Sequence, residues 1–230
     1  MEPTPHVGGI VTIGGAAHSA SLARQLQGEL RMTNVVRLLL VVAVLVANPP
    51  VSGQATLEIS PKHGSAAEAQ TRDQLQKLVA VYDVSPWIYT RSIVIDERAI
   101  PFSHPVLTLH TRHAKDDDLL LSTFIHEQLH WFFSAHSEAT DLAIGDLRQL
   151  FPSVPVGGII GARDERSTYL HLLVCYLEQQ ADIRVFGELK TKHVMEFWAS
   201  DHYSWVYQTV LDRGRDVRKI LDDRKLMPAR

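Results

Sequence analysis

The chain has 230 residues, of which 45% are hydrophobic and 21% charged, and its formal net charge at pH 7 is −3. This composition is that of an ordinary folded protein, and it excludes a disordered, collagen-like or multi-span membrane chain. Because 23 Lys and Arg nearly balance 26 Asp and Glu without a long run of like charge, we expect no nucleic-acid partner. The single cysteine, Cys175, allows no internal disulfide, whereas twelve histidines are an unusually large number.

Residues 1–53 are predicted to be an N-terminal extension that includes a signal peptide. An unbroken apolar run spans residues 38–47 and follows Arg31 and Arg37. A helix of this length rises only about 15 Å, half of the roughly 30 Å hydrocarbon core, so the run fits the apolar region of a signal peptide. Small residues before Gln54 predict cleavage there, which leaves 54–230 as the mature domain.

Two features of this N-terminal region stay open. Thirty-one residues precede Met32, whereas a signal peptide normally stands at the very N-terminus, and our hypothesis is that translation begins at Met32. The apolar run could instead be a buried strand or an uncleaved anchor. A signal or an anchor predicts a secreted or periplasmic protein that meets a membrane only through this segment.

The remaining sequence predicts an α+β domain that is mostly helical. Helices are expected where apolar residues recur three and four positions apart, and strands where apolar residues stand between turn-forming residues. The predicted elements are, in chain order, a helix over 72–82 after a polar linker, strands over 92–96 and 106–111, helices over 119–133 and 139–150, a loop at 156–161, a helix capped by Ser167, and a last helix from Asp201 or His202 to about Asp223.

The apolar helix over 119–133 contains the sequence HEQLH at residues 126–130. Ionisable side chains are costly to bury unpaired, so these residues need partners or a ligand. His126 and His130 project from one face of a helix and can reach one cation, while Glu127 beside them can hold a metal-bound water. Neutral imidazoles favour zinc, and the pattern therefore predicts a Zn²⁺ site.

A zinc ion needs a third protein ligand, and His136 is one candidate. It has the spacing of the HExxHxxGxxH pattern, but Phe133 stands where that pattern has the glycine that turns the chain. On a continuous helix His136 would lie about 80° off the face of His126. We therefore expect His136 to be a surface residue.

Glu178 is the other candidate ligand, and it would complete a site of two histidines and one glutamate. Asp182 lies one turn later on the same helix face and could accept the remaining ring N–H of a ligand histidine. The arrangement resembles the gluzincin metallopeptidases, the thermolysin-like group, in which a later helix supplies a glutamate and, four residues on, an aspartate. The resemblance implies that His126, His130 and Glu178 bind zinc and that Glu127 is the general base.

The same resemblance implies a zincin-like fold, in which a small sheet precedes the HExxH helix and a helical part follows it. A peptide or protein substrate would lie along the predicted strand at 106–111 as an added strand. Hydrolysis also needs a donor for the developing oxyanion, and His171, His202 and Tyr203 are the candidates. We therefore expect a zinc metallopeptidase in which Glu127 takes the proton of the attacking water.

Two other classes of protein fit the same residues. A zincin-like domain could bind zinc and serve as a non-catalytic binding module. A structural helical domain of an exported protein could lack metal altogether, with His126 and His130 bonded to backbone carbonyls. Glu178 and Asp182 would then belong to a solvated helix face.

Overall fold

A computed structural model of the chain describes residues 56–228. The predictions of an N-terminal extension, a signal peptide and a start at Met32 fall outside these residues. Within the described part, none of the helices combines the length and apolar character needed to cross a membrane.

Six helices and three strands make up the described part of the chain, so the predicted α+β class with a helical majority is confirmed. The strands are β1 (Glu58–Pro61), β2 (Ser92–Ile95) and β3 (Leu107–Leu109). The helices are α1 (Ala66–Val81), α2 (Asp117–Ala135), α3 (Ser137–Leu150), α4 (Glu165–Phe186), α5 (Glu188–Asp201) and α6 (Ser204–Asp223).

The three strands form one parallel sheet in the order β1-β2-β3. Parallel neighbours need a crossover connection, and α1 supplies it between β1 and β2. Ile93 and Ile95 of β2 are buried, as is all of β3. Beyond β3, Phe102 forms an isolated antiparallel bridge with Thr108, so the loop between β2 and β3 folds back over the outer edge of β3.

The N-terminal part of the domain differs from the prediction. β1 lies in the stretch predicted to be a linker, because only alternate residues of this short strand are partly buried and its pattern is weak. α1 begins at Ala66, six residues before the predicted start at 72. The Ser65 side chain accepts from the Glu68 backbone and the Glu68 side chain accepts from Ser65, which forms a capping box.

The helices around the site differ from the prediction at their ends. Asp164, not Ser167, caps α4, and its carboxylate accepts a hydrogen bond of 2.7 Å from the Ser167 backbone. α5 was not predicted, and its buried residues are sparse. α6 begins at Ser204, so His202 and Tyr203 lie in the short connection between α5 and α6.

α2 is the central helix, and 12 of its 19 residues are buried. Asp116 caps its N-terminus by accepting a hydrogen bond from the Leu119 backbone at 3.0 Å. Leu121, Phe124 and Ile125 pack in the core together with apolar residues of α4, α5 and β3. The same helix buries His126, Glu127 and Gln128, so polar groups are held inside an apolar framework.

Candidate metal centre

His126 and His130 lie one turn apart on α2 and point their Nε2 atoms at the same space. The two Nε2 atoms are 3.3 Å apart. Two nitrogen ligands of a tetrahedral Zn²⁺ are separated by about 3.3 Å when each Zn–N bond is about 2.0–2.1 Å. The pair therefore has the spacing of two ligands of one metal ion.

His171 of α4 brings a third imidazole to this pair. Its ring centre lies 5.5 Å from that of His126 and 5.0 Å from that of His130, and one nitrogen from each of the three rings falls within a 4.8 Å group. The His171 Nδ1–H donates to the Ser167 carbonyl oxygen at 2.6 Å. This bond fixes the tautomer and leaves Nε2 free for a metal.

Glu178 lies behind His126, on the side of the ring away from His130. The His126 Nδ1–H donates to Glu178 Oε2 at 2.8 Å. Ser122 Oγ donates to Oε1 at 2.6 Å, and the Tyr207 hydroxyl donates to Oε2 at 3.0 Å. Because both carboxylate oxygens are engaged, Glu178 is placed to orient His126 and not, as predicted, to be the third ligand beside His130.

Cys175 forms a second possible ligand group with His126 and Glu178. Its thiol is fully buried, and burial raises the pKa of Cys175. Metals bind the thiolate, so this shift opposes metal binding at Cys175. The group of three histidines is the better metal site of the two.

Asp182 does not make the contact that the sequence predicts for it. It is fully buried, and among the described residues neither carboxylate oxygen has a hydrogen-bond partner. Burial and the nearby charge of Glu178 raise the pKa of Asp182 well above its ordinary value. Glu178, one turn earlier, makes a hydrogen bond to His126 of the kind that was predicted for Asp182.

The charge states of the three imidazoles follow from burial and from their neighbours. Burial and the charge of His126 hold the pKa of His130 well below its ordinary value and lower that of His171 to about 3. Burial is the largest single influence on His126 and opposes its charged form, but the Glu178 carboxylate and the Cys175 side chain together outweigh burial, and the pKa of His126 is raised well above 6.5. A metal ion at His126 would therefore displace an Nε2 proton, and the Nδ1–H bond to Glu178 would stay in place.

Glu127 faces the same space and is the one carboxylate of the HEQLH segment. It is buried, and no hydrogen bond contributes to its pKa, which burial raises to about 7. The positive charge of His126 lowers this pKa and the negative charge of Glu178 raises it. A carboxylate that makes no hydrogen bond within residues 56–228 and lies beside a group of possible metal ligands can accept a proton from a nearby water.

His202 is held at the cavity by a chain of polar contacts. Its Nδ1–H donates to Asp201 at 2.9 Å, and Arg112 forms an ion pair with the same carboxylate. Hydrogen bonding to Arg112 contributes most to a pKa of about 2 for Asp201. Nε2 of His202 is therefore the ring nitrogen left to meet a ligand.

Tyr203 stands next to His202 and packs on His171, with ring centres 4.4 Å apart. The backbone of Tyr203 has φ of 49°, which lies in the left-handed region and is energetically unfavourable for residues other than glycine.

His136, the other candidate ligand, is exposed and donates from Nδ1 to the Phe132 carbonyl at 2.8 Å. It is not grouped with the three site histidines.

A cavity of about 900 Å³ opens over the three histidines. Its walls come from α2, α4, the connection before α6, and the loop between β2 and β3. The predicted site residues on this cavity are His126, Glu127, His130, His171, Glu178, His202 and Tyr203.

Comparisons with protein-family models, with curated proteins and with solved structures return no match to the chain.

Proposed function

We propose that this protein is a zinc-dependent metallopeptidase whose ligands are His126, His130 and His171. The observation that carries the proposal is the convergence of three imidazole nitrogens within 4.8 Å in an open cavity that Glu127 also lines. Three neutral histidines suit Zn²⁺ and leave a fourth position for water, as in catalytic zinc sites. The third ligand proposed here, His171, replaces the Glu178 expected from the sequence.

The donor set fits the ion, because two of the three rings are anchored through the nitrogen that does not face the centre. His126 is held by Glu178 and His171 by the Ser167 carbonyl. A bound zinc would lower the pKa of its water to about 7 and polarise the substrate carbonyl. The proposal thus gives Glu178 the orienting role that acids beside metal-bound histidines commonly have.

The residues around the metal divide the acid and base steps between them. Glu127 accepts the proton of the attacking water and carries it toward the leaving amine. His202, fixed through Asp201, offers Nε2 to the developing negative charge on the carbonyl oxygen. Tyr203 lies beside His171 and is the second candidate for this contact.

A peptide substrate is favoured by the form of the cavity. The cavity extends from the histidines along the loop between β2 and β3, so that an extended chain can lie against protein backbone. The apolar run at 38–47 supports the further proposal that the domain 54–230 acts outside the cytoplasm, either secreted or periplasmic.

The proposal is tested with a mixture of synthetic peptides, followed by mass spectrometry of the products. The purified protein loaded with zinc should cleave a subset of the peptides, and Glu127→Gln should retain zinc and lose turnover. His136→Ala is the matched control and should keep both zinc and turnover. A zinc-loaded protein that cleaves no peptide would contradict the peptidase proposal and would favour a non-catalytic binding module.

A further inference from the structure

The connection between α3 and α4 presents three large aliphatic side chains to solvent. Val156 is 53% exposed, Ile159 is 65% exposed and Ile160 is 49% exposed. No other window of five positions within residues 56–228 contains three exposed large apolar residues. Neighbouring exposed apolar side chains mark surfaces that bind a partner or a membrane. We call residues 156–160 the aliphatic loop.

The backbone around the aliphatic loop is closed on itself. The Gly157 N–H donates to the Ala162 carbonyl at 2.7 Å, and the Gly161 N–H donates to the Gly157 carbonyl at 3.2 Å. The Ala162 N–H donates to Thr168 Oγ1 at 3.0 Å. A Cβ at Gly161 would lie 2.2 Å from the Pro155 carbonyl oxygen, so only glycine fits this closure. The three aliphatic side chains therefore project from a turn of defined shape.

Two carbonyl groups of the aliphatic loop are bonded to the start of α6. The Ile159 carbonyl accepts from the Ser204 N–H at 2.9 Å, and the Ile160 carbonyl accepts from the Trp205 N–H at 3.1 Å. These bonds satisfy both backbone acceptors within the protein while both side chains face solvent. Backbone groups that enter lipid need partners within the protein, because no water is present there to replace them. The loop meets this condition at the two residues that expose isoleucine.

The exposed area of the aliphatic loop is too small for a stable contact with another protein. A fully exposed Val or Ile side chain carries about 60–120 Å² of apolar surface, so the three side chains present roughly 100–200 Å². A specific protein–protein interface buries about 800 Å² on each partner. A few aliphatic side chains can instead enter the boundary region of a bilayer, where their contribution adds to that of another membrane signal.

The sequence contains such a second signal. The apolar run at 38–47 is predicted to be a signal peptide or an anchor, and residues 48–57 connect it to β1 at Glu58. Ten residues span at most about 36 Å. A run that stays on the chain would therefore keep the domain within this distance of a lipid surface. The aliphatic loop would then meet lipid at a high effective concentration.

We propose that the side chains of the aliphatic loop insert into the surface of a lipid bilayer. Uncharged side chains do not distinguish between headgroup charges, and Arg163, the nearest cation along the chain, is paired with Asp164. The partner is therefore the apolar boundary of the bilayer, whatever its headgroup charge. The inference rests neither on zinc binding nor on peptidase activity. It adds a membrane contact to the one that the sequence predicts for the segment at 38–47.

A fluorescent label in the aliphatic loop tests the proposal directly. Cys175, the single cysteine of the chain, is fully buried, so an Ile159→Cys variant of the full chain can be labelled selectively at residue 159 with the polarity-sensitive dye NBD. When phosphatidylcholine vesicles are added, the emission should rise and shift to shorter wavelength. Lipids that carry a nitroxide near the headgroup should quench it.

The matched control is an Leu189→Cys variant labelled in the same way. Leu189 is 73% exposed and follows the C-terminal end of α4, whereas the aliphatic loop is connected to Thr168 near the start of that helix. The helix between Thr168 and Phe186 is about 27 Å long, so the control label lies far from the loop. Its emission should stay unchanged when vesicles are added.

Side-chain variants measure how much the loop contributes to binding. Ile159→Ser and Ile160→Ser, combined in one protein, should lower the partition of the full chain onto sedimented vesicles by roughly tenfold. Leu189→Ser should leave the partition unchanged. Both variants should keep the far-UV CD spectrum of the original protein, because the replaced side chains face solvent. An unchanged partition in the double variant would overturn the proposal.

The label separates the aliphatic loop from other routes to a membrane. Vesicle binding through the segment at 38–47 alone would leave the emission at residue 159 unchanged and would contradict the proposal. An equal response at residues 159 and 189 would show unspecific adsorption and would also contradict it. A response that grows with protein concentration in the absence of lipid would show that the loop meets a second copy of the chain, which would overturn the assignment to lipid.

Discussion

Replacing Glu178 by glutamine separates the two roles that this residue could have. The carboxylate accepts from His126 Nδ1, Ser122 and Tyr207 at 2.8, 2.6 and 3.0 Å. Glutamine keeps the shape and one oxygen but loses the negative charge and puts an N–H₂ group where one donor now points. His126 would then hold its ring with a weaker partner, while all three proposed ligand nitrogens stay in place.

The size of the effect follows from this position behind the ligand. Loss of an orienting partner of a ligand histidine typically lowers metal affinity by about 10- to 100-fold, which is about 1.4–2.7 kcal/mol of binding free energy. Removal of a true ligand would leave only two protein ligands and abolish tight binding. The structure therefore predicts a weakened but measurable zinc site in Glu178→Gln.

The assay is a zinc titration against a chromophoric chelator of known affinity, carried out on the purified protein. Glu165→Gln is the matched control, because Glu165 lies on the same helix, is exposed and, within the part of the chain that the structure describes, forms an ion pair with Arg148 alone. Its zinc affinity should not change. Loss of all tight zinc binding in Glu178→Gln would show that Glu178 is a ligand, and an unchanged affinity would show that its bond to His126 is irrelevant.

Three further variants test the surroundings of the site. Tyr207→Phe removes one of the donors to Glu178, so zinc affinity should fall less than in Glu178→Gln in the same titration; an equal loss would contradict the sharing of this role among three donors. Burial lowers the pKa of His113 to about 4 from 6.5, so the unfolded state binds a proton that the folded state does not as the pH falls from 6.5 to 4. Stability should therefore fall in this window by up to about 2 kcal/mol after allowance for solvent screening, and His113→Phe should flatten the dependence of Tm on pH; an unchanged slope would refute this. Ser65→Ala should cost about 1 kcal/mol in urea unfolding because it removes the cap of α1, whereas a loss near zero would mean that Glu68 alone secures the helix.

The sequence predicts the HEQLH helix well because several local signals agree there. Acidic residues cap the helix, the apolar pattern is continuous, and two histidines stand one turn apart. These features depend only on residues near one another in the chain. The structure places this helix at the centre of the fold with both histidines directed at one point, as that local pattern requires.

The third imidazole could not be assigned from the sequence, because it depends on how α4 crosses α2. His171 and Glu178 are two turns apart on nearly the same face of α4. A helix that crosses another presents one turn to a given point and the next turns to points farther along. Only the packing decides that His171 meets the pair of Nε2 atoms and that Glu178 meets the far side of His126.

Two other differences between the predicted and the observed structure have opposite causes: one had a signal in nearby residues of the sequence, and the other depends on residues that meet only in the fold. The capping box of Ser65 and Glu68 was a usable signal for the earlier start of α1. The bridge between Phe102 and Thr108 had no such signal, because it joins one residue of β3 to one residue of a loop that contains two prolines. That loop now forms the wall of the cavity on which the substrate proposal rests.

The central claim is that His171, together with His126 and His130, holds a metal ion. The most direct test is the zinc content of the purified protein, of His171→Ala and of Glu127→Gln, measured by mass spectrometry after exchange into metal-free buffer. We predict about one zinc per chain in the original protein and in Glu127→Gln, and none in His171→Ala. A full zinc content in His171→Ala, or no zinc in the original protein, would contradict this account.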